Sequence, residues 1–210
     1  MDTSGIDDVG PGAADAIVVV PVKAFDRAKV RLADALDAPS REALARAMAT
    51  RVVAAAAPLA VTVVCDDDDV ATWARDGGAA VVWTPGLGLN GAVTEAVARL
   101  SGAGIARAVV AHADLPFAAG LAELADADPD EVVLVPDRRR DGTNVLSVPT
   151  SAGFAFSYGA GSFDRHVAEA ARCGLRVRVV DAEHLGWDID EPADLDVPAH
   201  LGVLPGGNIT

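Results

Sequence analysis

The segment that most constrains the fold is the short, almost wholly apolar run from Arg107 to Ala111, which then ends in polar residues and a proline. A strand that is apolar on both faces belongs to a parallel sheet covered by helices on each side. Ligands of such sheets bind beyond the carboxyl ends of the strands. Asp114 is therefore expected at the rim of a binding site, although it could simply end the strand ahead of Pro116.

Similar apolar runs alternate with helical segments along the chain. This alternation predicts a three-layer α/β/α sandwich with a mixed, mostly parallel sheet. The predicted strands are 16–22, 61–65, 79–83, 109 onward, 131–136 and 176–180, with a late hairpin of 143–148 and 153–158. The longer helices are predicted at 40–57, from 90 to about 100, at 117–125 and at 162–173. Ser40, Asn90 and Ser162 are the predicted N-terminal caps of the first, second and fourth of these helices.

Length and composition indicate a single domain. The chain has 210 residues, 51% of them hydrophobic, and we expect one domain at 16–201 with tails at 1–15 and 202–210. Cys65 and Cys173 are expected to be buried thiols in a reducing compartment. Because neither a signal peptide nor a membrane-spanning run is evident, a cytoplasmic protein is predicted.

The net charge of −14 argues against nucleic acid as a partner, since nucleic-acid binding requires a basic face. It does not exclude small anionic substrates, because Mg²⁺ can bridge carboxylates and phosphates. One local exception is the loop after the first strand, which carries Lys23, Lys29 and Arg31. These cations could neutralise a triphosphate, or they could belong to a solvated basic loop.

Three later loops also combine glycine with polar side chains. The first, from Pro85 to Gly91, contains Gly88 and Asn90, and Asn90 could contact a ligand or cap the next helix. Thr143 follows an arginine-rich turn, and its hydroxyl could hold a carboxylate or a phosphate. Gly159 and Ser162 lie at another helix start, which favours anions by its own electrostatics, although Ser162 could be only a cap.

The acidic segment near the carboxyl end contains Asp188 and Asp190. In an extended chain these two residues point the same way, and adjacent carboxylates repel unless a cation lies between them. Together with Asp114 they could form a Mg²⁺ site. The alternative is that Asp190 or Glu191 caps a short helix that has Pro192 in its first turn.

The four histidines, by contrast, show no metal-ligand spacing, and no Ser/His/Asp arrangement is legible. We assign them no role. The four histidines are His112, His166, His184 and His200.

Six motifs occur in a fixed order along the chain, and together they resemble one family. They are Pro-Val-Lys-x-Phe-x-x-Ala-Lys-x-Arg-Leu, Gly-Leu-Asn, Ala-Asp-Leu-Pro, Asp-Gly-Thr-Asn, Tyr-Gly-x-Gly-Ser-Phe and Asp-Ile-Asp-x-Pro-x-Asp-Leu. Over 16–195 the sequence resembles the 2-phospho-L-lactate/phosphoenolpyruvate guanylyltransferases of coenzyme F-420 biosynthesis.

The resemblance implies a nucleotidyltransferase fold of the glycosyltransferase-A, Rossmann-like type and transfer of GMP from GTP to a small phosphorylated acid, with release of pyrophosphate. It implies metal binding by the matching aspartates, and because joining two anions requires neutralisation of their charge, we expect two Mg²⁺ ions there. The product is expected to be a labile mixed diphosphate, so handover to the next pathway enzyme is plausible. Phosphoenolpyruvate is the favoured acid on composition, and 2-phospho-L-lactate is the alternative. The residues carried over are Asp114, Asp188 and Asp190 for metal, Thr143, Gly159 and Ser162 for the acid, and Lys23, Lys29, Arg31, Gly88 and Asn90 for the nucleotide.

Two other functions are compatible with these residues. One is a different nucleotidyltransferase of the same fold, of the molybdopterin or sugar-phosphate type, although the Gly-Gly-x-x-x-Arg loop usual in those enzymes is missing here. The other is a non-catalytic nucleotide-binding module, which would have little use for three metal-binding aspartates.

Overall fold

A computed structural model describes residues 15–205. The tails predicted at 1–15 and 202–210 therefore lie largely outside the described residues. Seven strands form one sheet: β1 (Ala16–Pro21), β2 (Val61–Cys65), β3 (Ala80–Trp83), β4 (Arg107–Ala111), β5 (Glu131–Pro136), β6 (Thr143–Pro149) and β7 (Arg176–Val179). The α-helices are α1 (Ala38–Ala55), α2 (Asp68–Asp76), α3 (Gly88–Gly102), α4 (Ser162–Arg172) and the short α5 (Glu183–Gly186).

The strand order, β3-β2-β1-β4-β6-β5-β7, determines which loops meet. Strand β6 is antiparallel to both of its neighbours, β4 and β5, whereas the other pairs are parallel. The predicted mixed, mostly parallel sheet is thus confirmed. Because β6 is reversed, its first residue, Thr143, lies at the same edge as the carboxyl ends of β1, β4 and β5.

Alternate residues of β1 enter different halves of the core. Val18 and Val20 pack with residues of α1 and α2 on one face of the sheet. Ile17 and Val19 pack with residues of α3 and α4 on the other face. These two packed faces form the predicted three-layer sandwich, in which the central strands are apolar because both of their faces are covered.

The helix predicted over 117–125 is wrong in its extent. The structure has only a 3-10 helix at Leu121–Ala125, preceded by Gly120 with φ of 67°. A left-handed residue cannot continue a right-handed helix, so the chain turns at Gly120 and begins the helix afterwards.

The predicted hairpin of 143–148 and 153–158 is also wrong. The first segment is β6, but 153–158 forms no strand, because both edges of β6 are already occupied by β4 and β5. Phe154, Phe156 and Tyr158 are nevertheless buried in the core. Their alternation produced a strand-like pattern without strand pairing.

None of the three predicted helix caps is found. Helix α1 is capped by Asp37, whose side chain accepts a hydrogen bond from the Ser40 backbone N–H. Helix α3 begins at Gly88, ahead of Asn90, and helix α4 follows Gly161. The side chains of Asn90 and Ser162 bind elsewhere, as described below.

Both cysteines are free thiols, with Cys65 buried as predicted and Cys173 only partly buried at the end of α4. Within residues 15–205, no helix is both long enough and apolar enough to cross a membrane.

Candidate active site

A cavity of about 1100 Å³ opens at the carboxyl edge of the sheet. It is lined by the loops that follow β1, β2, β4 and β5, by the start of β6, and by the loops that lead into α3 and α4. All three predicted metal-binding aspartates line this cavity, together with Thr143 and Ser162. The fold therefore brings together residues that are far apart in sequence.

Asp114 and Asp190 are joined by the ammonium group of Lys29. The Lys29 Nζ atom lies 2.7 Å from Asp114 Oδ2 and 3.0 Å from Asp190 Oδ1. The Lys29 side chain is only 11% exposed. Burial alone would lower the pKa of Lys29, but the two carboxylates outweigh it and the pKa is raised. Lys29 is therefore charged and acts as a counterion between two predicted metal ligands.

The segment from Trp187 to Glu191 has the predicted alternation. Ile189 is fully buried and packs with Leu32 and Met48, so the carboxylates of Asp188 and Asp190 face the opposite side, where both line the cavity. The backbone N–H of Ile189 also donates to the carbonyl oxygen of Asp114, at 3.2 Å. This bond connects the acidic segment directly to the loop that follows β4.

Two carboxylate oxygens in this group are buried and have no hydrogen-bond partner among the described residues. They are Asp114 Oδ1 and Asp188 Oδ1. A buried oxygen without a hydrogen-bond partner costs free energy. A hard divalent cation would satisfy such carboxylate oxygens well, because it prefers oxygen ligands. Within residues 15–205 the structure has no group of three or more His, Cys, Asp or Glu side chains placed closely enough to hold a metal ion, and Lys29 lies between Asp114 and Asp190. The donor set nonetheless fits a divalent cation.

The electrostatics of Asp188 support the same conclusion. Burial, and then the negative charges of Asp114 and Asp190, raise the pKa of Asp188 to about 6. Burial also acts to raise the pKa of Asp114, but Lys29 and His112 outweigh it, and that pKa is lowered. The site thus holds more negative charge than Lys29 alone balances.

Asp194 holds the acidic segment in place. Its fully buried carboxylate accepts hydrogen bonds from the backbone N–H groups of Asp190 and Glu191, both at 2.8 Å. Arg138 and Arg139 donate to the same carboxylate. Glu191 and Asp194 form a capping box for the 3-10 helix Pro192–Leu195, so the alternative prediction of a cap at Glu191 is also correct. The cap and the carboxylate pair coexist because different residues provide them.

The turn after β5 is organised by Asp137. Its carboxylate accepts from the backbone N–H groups of Arg139, Asp141 and Gly142, at 2.9, 3.0 and 2.9 Å. A Cβ atom at Gly142 would lie 2.9 Å from Asp137 Oδ2, so a larger residue would force the carboxylate that holds this turn to shift. Close approach explains this glycine of the Asp-Gly-Thr-Asn motif.

Thr143 and Ser162, both 1% exposed, meet at the cavity wall. The Thr143 backbone N–H donates to Ser162 Oγ at 3.0 Å, so the Ser162 side chain binds β6 while Gly161 holds the N-cap position of α4. Gly159 also lines the cavity, and its carbonyl oxygen accepts from the Ser162 backbone N–H at 3.0 Å. The three residues predicted to bind an acid therefore form one continuous surface.

The remaining predicted residues are more dispersed. Lys23, Arg31 and Gly88 are exposed and line the cavity, and Lys23 and Arg31 have no salt bridge to any residue in 15–205. Asn90 is not among the lining residues. Its side-chain oxygen instead accepts from the Tyr158 backbone N–H at 2.7 Å, which connects α3 to the loop ahead of α4.

Sequence reasoning missed the aromatic and histidine cluster beneath the cavity. The Tyr158 ring packs against the rings of His112 and His166, with both centroid distances at 4.9 Å. Burial lowers the pKa of His112 and raises that of Tyr158. No motif spacing marks these residues, and only their apolar neighbours in sequence signal burial.

A guanylyl transferase family described as CofC-like matches residues 16–199. A phosphoenolpyruvate guanylyltransferase from Rubrobacter xylanophilus is 40% identical over 185 residues, covering 84% of this chain and 90% of that protein. A protein with the same name from Streptomyces coelicolor is 40% identical over 199 residues, covering 90% of this chain and 92% of that protein.

Solved structures share the fold at low sequence identity. A nucleotidyl transferase from Methanothermobacter aligns with a TM-score of 0.62 at 16% identity, covering 89% of this chain and 97% of that one. A cytidylyltransferase from Leptospira borgpetersenii aligns with a TM-score of 0.57 at 11% identity, covering 87% and 84%. The predicted nucleotidyltransferase fold is confirmed.

Proposed function

Because this chain belongs to the CofC-like guanylyl transferase family, we propose that it transfers GMP from GTP to phosphoenolpyruvate and releases pyrophosphate. The names of its relatives favour phosphoenolpyruvate as the acid, and 2-phospho-L-lactate is the second candidate. We place this reaction in coenzyme F-420 biosynthesis, because the six sequence motifs together resemble the guanylyltransferases of that pathway.

The observation that carries the proposal is the meeting of three kinds of group in one cavity of about 1100 Å³. Asp114, Asp188 and Asp190 provide negative charge for cations, Thr143 and Ser162 provide paired hydroxyls, and Lys23 and Arg31 provide positive charge for phosphates. A simple nucleotide-binding module has no need for the aspartates beside the hydroxyls. A transferase that joins two anions needs both.

Asp114, Asp188 and Asp190 are the residues that would hold Mg²⁺, and we expect two ions. When bound there, Mg²⁺ would supply positive charge that offsets the repulsion between the two anionic substrates. The orphaned oxygens Asp114 Oδ1 and Asp188 Oδ1 support this assignment. Asp194 and Arg138 contribute indirectly, because they fix the backbone that carries Asp190.

The hydroxyl end of the cavity is assigned to the acid. Thr143, Gly159 and Ser162 lie side by side there, next to the N-terminus of α4, where the helix dipole favours an anion. A small acid held at this wall has its phosphate directed towards the aspartates. Positioning of this kind removes the entropic cost of bringing two substrates together.

The nucleotide end is assigned to Lys23, Arg31 and Gly88. The two exposed cations have no salt bridge within residues 15–205, so they are available to a triphosphate. Lys29 is expected to join them by exchanging its aspartate contacts for a phosphate. Asn90 does not line the cavity, and its bond to Tyr158 connects α3, which begins at Gly88, to the loop ahead of α4.

The reaction then needs no protein nucleophile. A phosphate oxygen of the acid attacks the α-phosphorus of GTP, the new P–O bond forms, and the bond from the α-phosphorus to the bridging oxygen breaks. The electron pair leaves with pyrophosphate. The chain contributes alignment and charge neutralisation, which dominate catalysis of phosphoryl transfer generally.

We expect purified protein to release pyrophosphate when it is incubated with GTP, Mg²⁺ and phosphoenolpyruvate. A coupled phosphate assay measures the release, and mass spectrometry identifies the mixed diphosphate product. Parallel reactions with 2-phospho-L-lactate, and with ATP or CTP in place of GTP, determine the preferred substrates. Absence of pyrophosphate with every acid and nucleotide, at adequate Mg²⁺, would refute the proposed function.

A further inference from the structure

His166, a residue to which no sequence motif assigns a role, contacts the acid-binding wall from behind. It lies on α4 with a fully buried side chain. Its Nδ1 atom is 3.0 Å from Thr143 Oγ1. Its Nε2 atom is 3.0 Å from the backbone nitrogen of Ser157.

These two contacts determine the protonation of the ring. A backbone N–H can only donate, so Nε2 of His166 must accept from Ser157 and carries no proton. Burial, followed by the nearby charge of Arg165, lowers the pKa of His166 to about 4, so the ring is neutral near neutral pH. The single ring proton is therefore on Nδ1, which donates to Thr143 Oγ1.

The ring proton in turn determines what the Thr143 hydroxyl can do. Because Oγ1 already accepts from His166, the hydroxyl hydrogen must point to a different acceptor. No other hydrogen bond of this hydroxyl is formed by residues 15–205. The Ser162 hydroxyl is constrained in the same way, because its Oγ atom accepts a hydrogen bond from the Thr143 backbone N–H at 3.0 Å. Two hydroxyl hydrogens are thus available at one wall of the cavity.

We propose that His166 is a positioning residue that fixes the Thr143 hydroxyl as a donor, so that this wall selects an acceptor-only group such as a carboxylate. The inference rests on the proposed function in that the carboxylate is that of the phosphorylated acid. An acid analogue with an amide at this position would direct N–H groups against fixed donors. Unpaired buried donors are costly, and this cost gives the wall its selectivity.

The tautomer can be measured without substrate or variants. Long-range ¹H–¹⁵N correlation spectra of ¹⁵N-histidine-labelled protein distinguish the two neutral forms. We expect the His166 signals to show a protonated Nδ1 and an unprotonated Nε2. Protonation at Nε2, or at both nitrogens near neutral pH, would overturn the proposal whatever the protein catalyses.

Kinetics test whether His166 acts through Thr143. In His166→Gln the side-chain amide can still accept from Ser157, but it presents no N–H at the Nδ1 position. We expect its KM for phosphoenolpyruvate to rise about tenfold, with little change in the KM for GTP or in kcat. His200→Gln, which makes the same chemical change at the surface, is expected to match the wild type.

Thr143→Val removes the hydroxyl and completes a double-mutant cycle. In that background His166→Gln should raise the KM for the acid no further, because the donor that it orients is already absent. A full additional rise in the double variant, or an equal rise in the KM for GTP, would overturn the positioning role. An inactive wild type would refute the proposed function instead and would leave the tautomer measurement to decide on His166.

Discussion

Asp188→Asn and Asp190→Asn are each expected to reduce kcat/KM by about 10²-fold or more, equivalent to about 3 kcal/mol of transition-state stabilisation. Both changes keep side-chain size and remove one negative charge from the cavity. The loss should therefore appear in turnover and in Mg²⁺ dependence, and not in the fold.

The Asp188→Asn variant has a second, opposite expected effect. Burial and the neighbouring carboxylates raise the pKa of Asp188 to about 6, so keeping this carboxyl ionised near neutral pH costs folding free energy in the metal-free protein. The asparagine side chain of the variant cannot ionise, and the urea midpoint of the variant without Mg²⁺ should equal or exceed that of the wild type. Lower activity with unreduced stability is characteristic of a functional charge.

The matched control for both variants is Asp76→Asn. Asp76 is exposed at the end of α2, away from the cavity, and its replacement changes the net charge by the same amount. Wild-type activity is expected for this control. Wild-type activity in Asp188→Asn or Asp190→Asn as well would mean that these carboxylates are not metal ligands.

Asp194→Ala is expected to have the largest effect on stability. It removes a fully buried carboxylate and leaves Arg138 without its buried partner, and it frees the backbone N–H groups of Asp190 and Glu191. Removing a buried acceptor that holds two arginines and two backbone N–H groups costs about 3 kcal/mol, a large part of a domain's total stability. Urea denaturation monitored by circular dichroism measures the loss.

The neighbouring variant Asp196→Ala is the control, because Asp196 is exposed and its side chain makes no ion pair with any residue in 15–205. Its cost should be below about 0.5 kcal/mol. Similar small costs for both variants would show that Asp194 does not anchor the acidic segment. Asp194→Ala should also lose activity, because the backbone that positions Asp190 is no longer held.

Sequence reasoning was most successful where side-chain periodicity reflects the backbone. The strands β2 and β5 have the predicted bounds, because a short apolar run between turn residues is typical of a buried strand. The prediction that Asp188 and Asp190 point the same way is confirmed for a similar reason, because Ile189 between them enters the core. Such local patterns are legible without knowledge of the fold.

Sequence reasoning was wrong where apolar side chains alternate because they pack into the core, although the backbone pairs with no other strand. Phe154, Phe156 and Tyr158 alternate as a strand would, yet β6 has no free edge with which they could pair. Sheet order decides this outcome, and the order depends on contacts across the whole chain. The same limit applies to Asn90 and Ser162, whose partners lie on other elements.

The contact of Lys29 with both aspartates could not have been predicted. It joins Lys29 to side chains that lie 85 and 161 positions further along the sequence. Lys29 itself lies in a loop that has no periodic pattern. His166 is similar, because a single histidine on a helix gives no indication of whether its partner is water, a metal or Thr143. Three-dimensional contacts supply what spacing cannot.

The central claim is that Asp114 shares a divalent cation with Asp188 and Asp190, and a crystal structure with Mn²⁺ and GTP tests it most directly. Mn²⁺ replaces Mg²⁺ at oxygen-rich sites, and its anomalous scattering locates it without ambiguity. We expect at least one peak in contact with Asp114 and with Asp188 or Asp190, and Lys29 displaced from between the carboxylates. A peak that touches none of these side chains, with Lys29 still bridging Asp114 and Asp190, would contradict the account.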